Sequence, residues 1–265
     1  MNKQPSAAFG IGTGRCGTRF LYELIHHSKE VIAFHEQHPL SDAFLRYGTW
    51  YKLPIDLSSC WQQKENIVKQ ALDKGLHYFE SSAYLSLNIP ELYQRFDAKF
   101  IFLVRHPRAV VDSYYIKGWY KTPVIREQSD LAPGIQPDLE LPHHHFSRIV
   151  AYGPEGKAWK ECSRIGQLAW FWQEINKQIL MALDQLPMSQ YKVIRLEDFT
   201  FEKYLDICAF LEIAPTMRES RFVKTAATKF NRSKKNSLSK DWTAQEKKEF
   251  RYYVAVVAEQ LGYEI

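Results

Sequence analysis

The stretch AAFGIGTGRCGTRFLYELI, residues 7–25, constrains the fold more than any other part of the chain. Its opening residues are small or apolar and predict a short strand over 7–11. Gly12, Gly14 and Gly17 follow, and then Phe20, Leu21, Leu24 and Ile25 recur at helical spacing, which predicts a helix over 18–28. A strand that feeds a helix through a short turn is the unit of a parallel sheet. The alternation continues along the chain. Strands are predicted at 30–34, 77–80, 99–104 and 191–196, and helices near 61–74, 107–115, 159–186 and 243–261. Pro107 suits the first turn of its helix. Thr243 and Glu246 match a capping box at the last one. The expected fold is α/β, three layers with a central parallel sheet.

A chain of 265 residues is long enough to bury a substantial core, and the whole of 1–265 reads as a single domain. Between about 118 and 156 the pattern lapses and five prolines appear (Pro123, Pro133, Pro137, Pro142, Pro154), so a long loop or lid is expected there. The net charge of +5 leans towards anionic ligands without the basic excess of a nucleic-acid binder. Four cysteines without a CxxC pair suggest neither zinc nor a disulfide framework, and a reducing compartment fits. There is no signal-peptide pattern and no apolar run long enough to span a membrane, so a cytoplasmic location is expected.

The glycine turn is a candidate anion cradle. Glycines let the backbone bend sharply and bring its N–H groups towards a ligand, and the following helix adds its positive end. Gly12 and Gly17 have the spacing of the nucleotide-hydrolase P-loop, G-x-x-x-x-G-K-[ST], but Thr18 and Arg19 stand where that motif has Lys and Ser/Thr. A basic residue, Arg15, lies in mid-loop instead. A second element, FIFLVRHPRAVVDS, ends a buried strand with Arg105 and places Ser113 eight residues later on the next helix. An Arg fork with a hydroxyl suits a phosphate monoester. Arg108 lies in the same stretch and reads equally well as a solvated helix residue.

Together these elements resemble sulfotransferases that use 3′-phosphoadenosine-5′-phosphosulfate (PAPS). GTGRCGTRF is similar to their 5′-phosphosulfate loop, PKSGTT or PRSGTT, and the second element to their 3′-phosphate signature, R-[DHN]-P-R-x-x-x-x-S. The resemblance implies a P-loop NTPase-like sulfotransferase fold and PAPS as co-substrate. It implies donor contacts from Gly14, Arg15, Cys16, Gly17, Thr18 and Arg19, with Arg15 steadying the leaving group, and from Arg105 and Ser113 on the 3′-phosphate. Arg19 departs from the second Thr of the loop pattern. A sulfuryl group carries less charge than a phosphoryl group, so no metal is expected.

Hydroxyl sulfation benefits from a general base. The strand EVIAF runs into His35 and Glu36. In tyrosylprotein and some bacterial carbohydrate sulfotransferases a Glu at the end of the second strand is the proposed base, which implies Glu36, with His35 as runner-up. HYFESSAY resembles the family's E-K-[ST]-P-x-Y segment, with Ser81 in place of the lysine; Lys234, Lys235 and Lys240 are candidate substitutes. VIRLEDF resembles V-x-Y-E-D-L, with Leu196 where a Tyr often meets the adenine, and Glu197 and Asp198 are expected to cap the following helix. The basic loop over 229–243 resembles a cofactor-covering loop near the end of tyrosylprotein sulfotransferases, which nominates Arg232, Lys234 and Ser237. His143, His144 and His145 are adjacent and cannot easily share one metal, so they read as lid residues near the acceptor.

The expected activity is transfer of a sulfuryl group from PAPS to the hydroxyl of a small-molecule, carbohydrate or peptide acceptor, releasing PAP. A P-loop kinase-like phosphotransferase and a catalytically silent PAP-binding module are the alternatives. Cys16, a thiol at a helix N-terminus, is expected to have a lowered pKa.

Overall fold

The computed structural model describes residues 4–121, 123–124, 134–135, 141, 143–228 and 241–265. Five strands form one wholly parallel sheet: β1 (Ala7–Ile11), β2 (Val31–His35), β3 (His77–Ser81), β4 (Lys99–Val104) and, after a two-stranded antiparallel ribbon of β5 (Pro123–Val124) and β6 (Gly134–Ile135), β7 (Tyr191–Arg195). The order is β2-β3-β1-β4-β7, with Phe9 opposite Glu80 on one side and Phe100 on the other.

The period of two sorts side chains to the two faces. Ala7, Phe9 and Ile11 of β1 and Phe100, Phe102 and Val104 of β4 enter one core; Ala8, Ile101 and Leu103 enter the other. The second core is closed by α1 (Thr18–Ile25), α9 (Phe201–Leu211) and α10 (Glu219–Ala227). The first and larger one is closed by α2 (Pro39–Tyr51), α3 (Ser58–Asp73), α4 (Ile89–Phe96), α5 (Pro107–Ile116), α7 (Pro154–Glu161), α8 (Arg164–Leu183) and α11 (Ala244–Gln260). Helix α1 leaves β1 towards one face and α5 leaves β4 towards the other. The carboxyl ends of these adjacent strands are therefore a topological switch point, where α/β sheets open a ligand crevice.

All five predicted strands are present, and the capping box is formed: Thr243 Oγ1 accepts from Glu246 N, and Glu246 Oε2 accepts from Thr243 N. Three expectations are corrected. The helix expected over 159–186 is two helices, because Ser163 Oγ accepts from Gly166 N (3.1 Å) and starts α8 afresh. Helices α2 and α4 were not anticipated, although each opens with a proline in its first turn. Glu197 and Asp198 do not cap α9. Thr200 does that (3.4 Å to Lys203 N), whereas Glu197 accepts from His106 N at the start of α5 (2.9 Å) and from Tyr263 OH (2.8 Å), and Asp198 pairs with Arg195 (3.0 Å).

The expected lid falls in part on residues 122, 125–133, 136–140 and 142, which lie outside the described residues. Its second part is built into the domain from α6 (His143–Ser147) onwards. Phe146 lies edge-on to Phe44 and Tyr47, Trp50 Nε1 donates to Val150 O (3.0 Å), and Val150 N donates to Tyr51 OH (3.0 Å). The aromatic face of α2 thus holds this segment, which local sequence patterns could not reveal.

Candidate active site

The glycine turn lies at the switch point and is shaped by three needs for left-handed backbone within four residues. Gly14, Arg15 and Gly17 have φ of +80°, +57° and +111°. A Cβ on Gly17 would lie 2.8 Å from Leu196 Cδ1, so glycine answers both the backbone and the contact. Two buried hydroxyls fix the turn from below. Tyr114 OH donates to Thr13 O (2.7 Å), and Ser86 Oγ accepts from Gly12 N (3.0 Å) and donates to Gly12 O (2.7 Å). Helix α1 then starts at Gly17 with no side-chain cap and no acidic residue in its first turn. Its N-terminal donors and positive dipole end are left for a ligand.

Tyr114 was not singled out in the sequence, where it reads as one more apolar position of α5. Replacing Tyr114 by Phe removes the hydroxyl from a fully buried carbonyl. We expect the fold to lose about 1–3 kcal/mol by chemical denaturation; unchanged stability would remove Tyr114 as the support of the turn. The expectation for Cys16 is corrected. Its side chain is buried beneath the turn, and burial raises the thiol pKa, outweighing the helix end. Cys16 is not among the residues that line the cleft.

Arg15, Arg105 and Ser113 come together as the sequence suggested. Arg15 Nε donates to Ser113 Oγ (2.8 Å), and Arg105 Nη1 donates to Arg15 O (3.1 Å). Burial, with the Arg105 charge adding to it, lowers the Arg15 pKa. Two guanidinium groups and a hydroxyl beside an uncapped helix N-terminus form an anion site. Arg19 faces the same cleft but is exposed and bonded to Glu23 (2.8 Å). Arg108 is neither in the cluster nor fully solvated: it bonds Asp112 (3.1 Å) and lies 3.3 Å over the Trp242 ring.

Across the cleft, β2 delivers His35 and Glu36. Burial pushes the Glu36 carboxyl up to about 7; Arg46, Arg15 and Arg19 oppose this and Glu80 adds to it. Burial also holds His35 near 4, with Arg19 acting in the same direction, so its ring is neutral at pH 7 and only weakly basic. Its Nε2 lies 3.4 Å from Thr18 Oγ1. Glu36 is the better matched of the two for accepting a proton near neutral pH. Arg46, which the sequence reading passed over, is fully buried on α2 and joins the cleft wall. It donates to Tyr84 O (3.2 Å), Ser147 O (3.3 Å) and Ala83 O, and its pKa, lowered by burial to about 10, leaves it cationic.

The cleft between these groups measures about 770 Å3. Its far wall carries Tyr84, Trp119, His144 and Arg148; its other end is apolar, with Phe20, Leu196, Phe199 and Ala226. Of the three adjacent histidines, His144 reaches the cleft, while the His143 and His145 rings lie against Tyr84 (5.7 Å) and Tyr47 (5.9 Å). Among the described residues no three His, Cys, Asp or Glu side chains converge as metal ligands do. Arg232, Lys234, Ser237, Lys235 and Lys240 lie outside the described residues.

A five-stranded parallel sheet whose switch point holds a glycine turn, an uncapped helix and two arginines defines an α/β protein with a cleft suited to an anionic ligand. The sulfotransferase domain family matches residues 5–255, and this chain belongs to that family. The fold is also that of solved sulfotransferases. The sulfotransferase domain from the curacin biosynthetic pathway is 15% identical with a TM-score of 0.52, the alignment covering 98% of this chain and 99% of that one. The sulfotransferase from Alicyclobacillus acidocaldarius is 17% identical with a TM-score of 0.53, covering 99% and 98%. No curated protein matches the chain. No helix among the described residues is long and apolar enough to cross a membrane.

Proposed function

We propose that this sulfotransferase takes its sulfuryl group from PAPS and passes it to an acceptor hydroxyl, with Glu36 as general base. The observation that carries the reading is the meeting, in one cleft, of the Arg15–Arg105–Ser113 anion cluster with a carboxyl whose pKa is about 7. The donor set suits a ligand with two separate anionic groups: N–H groups of Gly17, Thr18 and Arg19 with Arg15 for the phosphosulfate, and Arg105 with Ser113 for the 3′-phosphate. The apolar end formed by Leu196, Phe199 and Phe20 suits a planar base, and Phe199 supplies ring surface where Leu196 replaces the family's Tyr.

Bound, PAPS would supply the sulfuryl group and leave as PAP. Ionised Glu36 would take the acceptor proton as the acceptor oxygen bonds to sulfur. Arg15 would hold the charge that develops on the departing phosphate oxygen. Arg46, in the cleft wall next to Glu36, supplies cationic charge that Ser81 does not. The acceptor is a small-molecule, carbohydrate or peptide hydroxyl, facing Tyr84, His144 and Arg148.

A silent PAP-binding module is the second reading, favoured by Ser81 at the lysine position. One experiment separates them: incubate the protein with 35S-labelled PAPS and a panel of phenols, sugars and tyrosyl peptides, and follow labelled product and PAP. We expect acceptor-dependent PAP release, undiminished by a chelator. PAP binding without label transfer to any acceptor would favour the silent module, and absence of PAP binding would sink both readings.

A further inference from the structure

Beneath Glu36 lies a group of ionisable side chains that the chemistry above does not use. Lys64 of α3, Asp42 of α2 and Glu80 of β3 are 1%, 1% and 0% exposed. Lys64 Nζ donates to Glu80 Oε2 (2.6 Å) and to Asp42 Oδ2 (3.2 Å), and Tyr78 OH donates to the same Glu80 oxygen (2.6 Å). Burying such charges costs several kcal/mol, and apolar residues of similar volume often do as well for stability. Stability alone is therefore a poor reason for the arrangement.

The remaining Glu80 oxygen points to another. Oε1 accepts from Gln37 N (3.1 Å), the peptide that follows Glu36. The peptide that precedes it is held as well, since Glu36 N donates to Ser81 O (3.2 Å). Two consecutive residues of β3 thus clamp Glu36 from both sides. Between the clamps Glu36 has φ of +53°. A left-handed non-glycine residue is strained and persists only where its surroundings over-determine it. Here they do, through a charge-assisted hydrogen bond whose acceptor is itself fixed by Lys64 and Tyr78.

We propose that Glu80, held by Lys64, is a positioning residue for the base: it locks the turn that presents Glu36 to the cleft. This rests on the reading of Glu36 as the base. The negative charge of Glu80 adds to the burial that raises the Glu36 carboxyl. The charges facing Glu36 are Arg15 and Arg19 from the turn and α1, Arg46 from α2 and Glu80 from β3. Those facing Glu80 are Lys64, Asp42 and Tyr78, with His35 and His38 on the β2 side. Against its burial, Lys64 holds the Glu80 carboxyl below its usual range, whereas burial and the Glu80 charge raise that of Asp42 well above it. Asp42 Oδ2 stays within 3.2 Å of Lys64 Nζ as a second partner.

In Glu80→Gln the amide oxygen keeps the Gln37 bond but the charge is gone. We expect the acid limb of the kcat–pH profile to move to lower pH by about half a unit or more. In Glu80→Ala the clamp is lost, and we expect kcat to fall about tenfold or more with the donor KM unchanged. Glu80→Gln should recover most of that loss. Thermal melts and PAP titration report whether each variant is folded; should Glu80→Ala not fold, the Glu80→Gln profile decides. A Glu80→Gln limb that superimposes on the parent, or a folded Glu80→Ala with the parent kcat, overturns the inference. Glu36→Gln separates the two levels. An acid limb that survives there overturns the base reading itself, whereas one that vanishes there yet stays put in Glu80→Gln overturns only the role of Glu80.

Discussion

Replacing Glu36 by Gln is expected to lower kcat about 10²- to 10⁴-fold while leaving PAP affinity unchanged. Gln preserves the volume and the backbone demand of the position, so the left-handed turn and its two clamps remain. What it removes is a carboxylate able to accept a proton. In the parent enzyme that carboxylate has a pKa of about 7, pushed up by burial. The base works only when ionised, so transfer should rise as pH passes upward through about 7 and level off above it. The variant should show a low rate without this limb. His35 does not replace it, because burial holds its pKa near 4 and it titrates well below the limb. Rates from labelled PAPS at pH 5.5 to 8.5, with PAP titration of both proteins, check this; a variant with the parent rate removes Glu36 as base.

Arg105→Ala is expected to weaken PAP binding about 10- to 150-fold, the loss of one or two hydrogen bonds to a charged group at about 1.5–3 kcal/mol. Removal of the guanidinium also frees the Arg15 carbonyl it holds at 3.1 Å, so the turn slackens and the effect should fall towards the upper end. The backbone of Arg105 keeps its own anchor, because Trp172 Nε1 donates to its carbonyl (3.3 Å) whatever the side chain. Arg105→Lys should lie between the two, as a point charge cannot fork. Titration calorimetry with PAP measures the change. Affinity equal to the parent would sink the assignment of Arg105 to the 3′-phosphate. The two variants are complementary, since one should spare binding and lose turnover while the other loses binding first.

Much of this was legible in the residues themselves. Short apolar runs between helical patterns located all five strands of the sheet, and the glycine turn and the Arg105–Ser113 spacing located the side chains that meet at its switch point. Such features are local: a strand end, a turn and the first helical residues lie within a dozen positions of one another. The failures were non-local. Helix α2 was missed because its apolar residues serve two neighbours, the sheet-side core and the segment around Phe146 and Val150, and so show no single stripe. Glu197 looked like a cap for the helix it precedes, yet its partners, His106 and Tyr263, are 91 and 66 positions away. Cys16 looked activated by its helix end, but burial under the turn dominates its pKa.

The sequence by itself determined that this chain makes a glycine turn suited to an anion at the end of its first strand, because backbone conformation and dipole direction are set by neighbours along the chain. Only the tertiary structure decided what surrounds that turn. It placed Glu36 across the cleft from Arg15, raised its pKa by burial, set fully buried Arg46 beside it, and clamped it with Glu80 and Lys64. Desolvation and charge–charge interactions depend on distance in space, and the residues that exert them here come from the turn after β1, helices α2 and α3, and strand β3.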